Sequence, residues 1–243
     1  MADGEAKPLD GQIALVTGAS RGIGAATAEA LAAAGAHVII TARTAAGLEE
    51  LEDRIFEAGG SATIAPLDLV DGDAIARLAS AVAERWQRLD IMVMNAATLG
   101  TLTPVAAIDG KEFNRVLTLN LIAQQALIAN FDPLLRRSAA GKVIALTSSV
   151  GRAPRAYWGA YGASKAALEA LVTSYGAEMA NISTVRTAIV DPGATRTQMR
   201  ARAFPGEDAA SVKDPAIVGD AITAMCIEGF DSTTFRAISK NGT

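Results

Sequence analysis

The chain has 243 residues, enough for one large domain with a substantial core. Its 22 Lys and Arg against 26 Asp and Glu leave a formal charge of −4, which gives no electrostatic reason to expect nucleic acid or an anionic membrane as partner. Alanine carries much of the 50% hydrophobic content, suggesting closely packed helices and sheet. Cys226 is the only cysteine, so no intrachain disulfide can form, and a reducing, cytoplasmic compartment is expected. The thiol itself reads as a small buried apolar residue. No apolar run approaches the ~20 residues that would span a bilayer. Residues 1–10, with Asp3, Glu5 and Lys7, lack a signal-peptide core and read as a short loose tail.

From residue 11 onwards strand-like and helix-like segments alternate without a linker or a second domain, so the expected fold class is α/β, a single doubly wound parallel sheet with helices on both faces. The first strand, 12–17, runs into Gly18-Ala19-Ser20-Arg21-Gly22-Ile23-Gly24 and then a helix over 22–34. A strand feeding a glycine-rich turn into a helix lets backbone N–H groups and the helix N-terminus face a pyrophosphate. The second strand, 36–41, begins at the sole histidine, His37, which reads as structural. It ends at Thr41-Ala42-Arg43-Thr44, with no acid before Glu49. Enzymes that use NAD place an acid there to hold the ribose hydroxyls, whereas guanidinium groups suit a phosphate. Arg21, Arg43 and Thr44 therefore point to NADP(H). Further elements follow as helix 45–58, strand 62–66, helix 71–87, strand 90–94, helix 110–137, strand 142–147, helix 157–181 and strand 184–190. Residues 194–214 break the regularity; a helix over 215–228 and a last strand over 233–238 close the chain.

The chemistry concentrates in Tyr161-Gly-Ala-Ser-Lys165 and Ser148. Residues i and i+4 share one helix face, so the phenol and the ammonium point into the same space. A free phenol ionises near pH 10 and carries protons poorly at neutrality. A lysine cation about 4 Å away, at an effective dielectric near 20, favours the phenolate by roughly 4 kcal/mol before desolvation. Ser148, ending an apolar run, can bond the same substrate oxygen. These are parts for protonating a carbonyl oxygen or deprotonating an alcohol. No His/Cys/carboxylate cluster suggests a metal site. Trp158 and Tyr157 either line a substrate pocket or pack against a neighbour. Arg152, Arg155, Arg196, Arg200 and Arg202 either attract an acidic substrate or form a solvated face.

Thr17-Gly18-Ala19-Ser20-Arg21-Gly22-Ile23-Gly24, Asn95-Ala96-Ala97, Asn120, Ser148, Tyr161-x-x-x-Lys165 and Asp191-Pro192-Gly193 stand in the order seen in the short-chain dehydrogenase/reductase family. From about residue 10 to 200 the chain resembles that family's NADP-using, single-domain branch, and more narrowly a bacterial aldehyde-reductase-like group. The resemblance implies a Rossmann-type fold and a homodimer or homotetramer, assembled through a helix whose flank here is Ala163, Ala166, Ala167 and Ala170. It implies Asn120, Ser148, Tyr161 and Lys165 as the catalytic set, with Asn120 anchoring a proton relay to Lys165. It places the cofactor on Gly18, Ser20, Arg21, Gly22, Ile23, Gly24, Arg43, Thr44, Asp68, Leu69, Asn95, Ala96, Tyr161, Lys165, Pro192, Gly193 and Thr195. Asp68 reads equally as a helix N-cap, Asn120 equally as a polar residue satisfying a bent helix, and the alanine flank equally as an internal core face. Ala97 departs from the family's usual glycine, and the chain lacks the glycine-rich finish. The function implied is NADPH-dependent reduction of an aldehyde, ketone or 3-oxoacyl group. Alcohol oxidation and a non-catalytic NADP(H) sensor are the alternatives.

Overall fold

A computed structural model of the chain describes residues 6–242. Seven strands form one parallel sheet: β1 (Ile13–Thr17), β2 (His37–Thr41), β3 (Ser61–Ile64), β4 (Ile91–Met94), β5 (Lys142–Leu146), β6 (Arg186–Asp191) and β7 (Thr234–Ala237), in the order β3-β2-β1-β4-β5-β6-β7. Between them lie α1 (Gly22–Ala33), α2 (Ala46–Glu57), α3 (Gly72–Trp86), α4 (Gly110–Leu117), α5 (Ala123–Leu135), α6 (Ser149–Arg152), α7 (Gly159–Met179), α8 (Gln198–Ala203) and α9 (Pro215–Glu228). The strand order reverses at the β1–β4 pair, so a crevice opens beyond the carboxyl ends of these two strands.

The apolar strands bury both faces, and alternate residues go to different cores. Ala14 and Val16, Ile91 and Val93, Ile144 and Leu146, and Ala188 and Val190 face the core shared with α1, α2 and α9. Leu15, Met92, Met94, Val143, Ala145 and Ile189 face the one shared with α3, α5 and α7. Small residues bring α1 and α9 together. A Cβ on Gly219 would lie 2.6 Å from the Ala26 carbonyl oxygen. Aspartates open several helices as side-chain caps: Asp71 accepts from the amides of Asp73 and Ala74, Asp109 from Glu112, and Asp214 from Ala216 ahead of Pro215.

The structure amends the sequence reading in three places. Residues 1–5 of the expected tail lie outside the described residues, but the rest is not loose: Leu9 is 1% exposed in the first core, and its amide donates to the Ala34 carbonyl. The helix expected over 110–137 is α4 and α5 joined by a π-helical turn, Thr118–Ile122. The irregular stretch 194–214 contains α8 and a 3₁₀ turn, Ala209–Ser211. The terminal segment does complete the sheet, as a largely exposed edge strand.

Candidate active site

The glycine-rich turn after β1 is shaped by close approach. Gly18 has φ +66°, and a Cβ there would sit 2.9 Å from the Ala96 Cα. A Cβ on Gly24 would collide with the Gly18 carbonyl oxygen and lie 2.6 Å from the Asn95 side-chain nitrogen. The chain thus leaves a side-chain-free cradle against the start of α1, the arrangement a pyrophosphate requires. Ser20 and Ile23 are half-buried, and Arg21, in extended conformation, is the residue before α1. The Ala19 amide donates to the Thr41 carbonyl (3.0 Å), which sets the turn beside the end of β2, where Arg43 and Thr44 are exposed. Arg21 is exposed as well, so two guanidinium groups stand near this end of the crevice.

Asn95 braces the turn. Its side-chain nitrogen donates to the carbonyls of Thr17 (2.8 Å) and Gly18 (3.2 Å). The Thr17 hydroxyl, which sequence reading left without a role, accepts from the amides of Asn95 (3.0 Å) and Ala96 (3.1 Å). Gln124, equally unforeseen, donates to the Ala96 carbonyl at 3.2 Å. Both are fully buried polar residues on apolar elements, a signal visible only once their burial is known. Asp68 does not cap a helix, since Asp71 does. Asp68 accepts from the Val70 amide in a local turn and is exposed, while Leu69 is buried.

Tyr161 and Lys165 lie one turn apart on the buried face of α7, at 7% and 2% exposure. The lysine ammonium donates to the Leu146 carbonyl (2.7 Å), two residues before Ser148, and stands 5.8 Å from the centre of the Tyr161 ring. Ser148 is half-buried at the entry to α6, and Val150, on that helix, packs against Tyr161. The three residues therefore meet at the carboxyl ends of β5 and β6. Their electrostatics differ from the sequence expectation. Burial, and then the Asp191 carboxylate, pushes the Tyr161 phenol above its ordinary range. Burial draws Lys165 down to about 8, against a smaller opposing pull from Glu169. Burial is the largest cause of both shifts, so the pair does not have the cation-stabilised phenolate that the spacing suggested.

Asn120 occupies the π-helical turn and is fully buried. Its amide nitrogen donates to the Thr98 carbonyl (2.9 Å) and the Ser164 hydroxyl (3.0 Å), and its oxygen accepts from the Thr98 amide (2.8 Å). Ser164 donates in turn to the Tyr161 carbonyl at 2.7 Å. Asn120 thus ties the loop after β4 to α7, with no direct bond to Lys165 among the described residues. After β6, Gly193 has φ +62°, and its amide donates to the Asp191 carboxylate (2.9 Å). Thr195 is buried and donates to the Pro192 carbonyl (3.1 Å).

The stretch 194–214 folds against Tyr161. Trp158 meets the Tyr161 ring edge-on at 6.1 Å and the Phe204 ring at 5.7 Å. Tyr157 is exposed, with φ +72°. The arginine cluster is largely paired internally: Arg152 with Glu169 (2.6 Å), Arg196 with Asp214, and Arg200 with Glu207 through two contacts of 2.6 and 2.5 Å. His37 is structural. Its ring nitrogens bond the hydroxyls of Ser61 (3.0 Å) and Thr63 (2.9 Å), and burial holds its pKa below the usual imidazole value. Burial raises the Cys226 thiol to about 12, which leaves it unreactive.

Side-chain-free backbone at the topological switch point, with Tyr161 and Lys165 buried on α7 and Ser148 half-buried at α6, is the arrangement of a dinucleotide-dependent oxidoreductase. The model of the short chain dehydrogenase family matches residues 12–208, and the chain belongs to that family. It is 37% identical to the uncharacterized oxidoreductase YciK of Escherichia coli K12, over 86% of this chain and 83% of that protein. A short chain dehydrogenase from Salmonella enterica serovar Typhi superposes with a TM-score of 0.90 at 33% identity, covering 96% of this chain and 98% of the other. A metagenomic short-chain oxidoreductase in complex with NADP gives 0.81 at 33% identity, over 95% and 98%.

Proposed function

We propose that the protein is an NADPH-dependent carbonyl reductase in which Tyr161 is the general acid. The observation that carries this reading is the pairing of a buried phenol with Lys165 one helical turn away, beside Ser148 and at the open end of the crevice. NADP(H) fits the chain: the side-chain-free cradle of Gly18, Gly22 and Gly24, with Ser20 and Ile23, suits the pyrophosphate. Arg21, Arg43 and Thr44 suit the ribose phosphate. Asp68, Leu69, Asn95 and Ala96 border the adenosine side; Pro192, Gly193 and Thr195 border the nicotinamide side. When bound, the cofactor supplies the hydride.

The chain's own residues do the remaining work. The Ser148 hydroxyl bonds and orients the substrate carbonyl oxygen. Tyr161 donates its proton to that oxygen as negative charge develops there, and its raised pKa keeps it protonated at working pH. Lys165, drawn down to about 8, holds the ribose hydroxyls beside the nicotinamide and re-protonates the phenol. Asn120 positions the helix and the loop at Thr98 for that exchange. An intact Ser148, Tyr161 and Lys165 argues against a sensor, which has no use for an acid.

The substrate is a small molecule, with neither nucleic acid nor membrane as partner. Among the described residues no helix is long and apolar enough to cross a membrane. We place the enzyme in the cytoplasm as a homodimer or homotetramer: Ala163, Ala166 and Ala170 are exposed on α7, as is Ile122 nearby, so this small-residue flank is no internal core face. The test is Tyr161→Phe. Carbonyl-dependent NADPH consumption, read at 340 nm, should fall at least about a hundredfold, in line with loss of a general acid. NADPH affinity should change less than threefold. Activity within tenfold of the parent would remove Tyr161 from the mechanism.

A further inference from the structure

Beyond the reaction type, the surroundings of Tyr161 bear on which carbonyl compound it meets. With Leu99 and Val150, Tyr161 forms a small apolar cluster separate from the two main cores, and Leu102, Trp158 and Met199 pack on it. Phe204 adds its ring against that of Trp158, 5.7 Å between centroids. The Lys165 ammonium, 5.8 Å from the Tyr161 ring, is bound to the Leu146 carbonyl, and the arginines of this region mostly pair elsewhere. The guanidinium of Arg200 lies flat over the Phe204 ring at 3.7 Å while its nitrogens bind Glu207. Arg152 lies over Phe235 at 3.4 Å and binds Glu169, and Arg196 binds Asp214. Arg155 and Arg202 make no ion pair among the described residues, but both are exposed, and the Arg202 charge acts on Glu112 instead.

From this geometry we infer that the site takes an uncharged aldehyde or ketone bearing an aliphatic or aromatic substituent, seated against the apolar surface of Trp158, Phe204 and Met199. The inference rests on the carbonyl-reductase reading of the same site. A carboxylate or polyhydroxylated substituent placed here gives up its hydration, and Arg152, Arg196 and Arg200 are already bound to carboxylates of the chain. Each methylene of an aliphatic substituent leaves water for an apolar surface, which raises kcat/KM about fourfold until the cluster is filled.

The experiment is a steady-state series with the purified full chain and NADPH. It compares propanal, hexanal and octanal with glyceraldehyde, and 4-methylbenzaldehyde with 4-carboxybenzaldehyde, a pair alike in shape but not in charge. The expected result is a rise in kcat/KM of tenfold or more from propanal to octanal. The methyl compound should exceed the carboxylate by at least thirtyfold. Trp158→Ala and Phe204→Ala should each cut the octanal-to-propanal ratio about tenfold, and NADPH binding by fluorescence reports whether each variant is folded. The wild-type series stands even if a variant does not fold. Glyceraldehyde and 4-carboxybenzaldehyde reduced as fast as their apolar counterparts would overturn the apolar assignment and leave the reductase intact. Reduction of none of the six, with NADPH still bound, would overturn both.

Discussion

Arg21 and Arg43 expose their guanidinium groups on neighbouring turns, and residues 42–48 contain no acid to hold ribose hydroxyls. A charge-assisted bond to a phosphate is worth about 1.5–3 kcal/mol. Arg43→Ala should therefore weaken NADPH binding about tenfold or more and leave NADH within twofold, in a fluorescence titration at fixed ionic strength. Equal loss for both dinucleotides would detach Arg43 from the phosphate. Such exposed cations are legible in sequence because their role depends on charge and position in the β–α repeat. Tyr161 shows the opposite case. Its spacing from Lys165 was readable, but the direction of its pKa was not. Burial and Asp191 set that direction, and Asp191 is brought near only by β6.

At the level of elements, regular helices and strands were legible because hydrophobic period and glycine placement are local. The π-helical turn at Thr118–Ile122 was not. Its backbone departs from the α-helix where Asn120 reaches Thr98 and Ser164, 22 residues before and 44 after it. The stretch 194–214 is anchored in the same long-range way. Lys213 is 5% exposed, and its ammonium donates to the carbonyls of Ile238 and Ser239, with the latter at 3.0 Å. Burial lowers its pKa from the ordinary lysine value. A methionine at this position keeps the stem and strands two carbonyls. Lys213→Met should lose about 1–3 kcal/mol. The substrate-side stretch should become open to cutting near Phe204, measured as faster chymotryptic cleavage before global unfolding. Cleavage at the parent rate would show that the ammonium does not hold the stretch down.

Across the whole molecule, two cores lie on opposite faces of one sheet, and strand residues alternate between them. The first core extends to the start of the described chain. Leu9 is packed in it, which a charged and irregular opening segment did not disclose. Leu9→Ala should therefore behave as a core truncation, destabilising the fold by about 2–5 kcal/mol, measured by urea unfolding with NADPH absent. A change below about 0.5 kcal/mol, the scale of surface substitutions, would return the segment to a loose tail.

Sequence by itself determined the α/β class, the position of the glycine-rich turn and the Tyr161/Lys165 pair, since each depends on residues within one or two turns of one another. Tertiary structure alone decided the direction in which the Tyr161 pKa is shifted, the internal pairing of the arginines, and the apolar surface that Trp158 and Phe204 present. Those properties arise from desolvation and from partners tens of residues away, and neither exists until the chain has closed on itself.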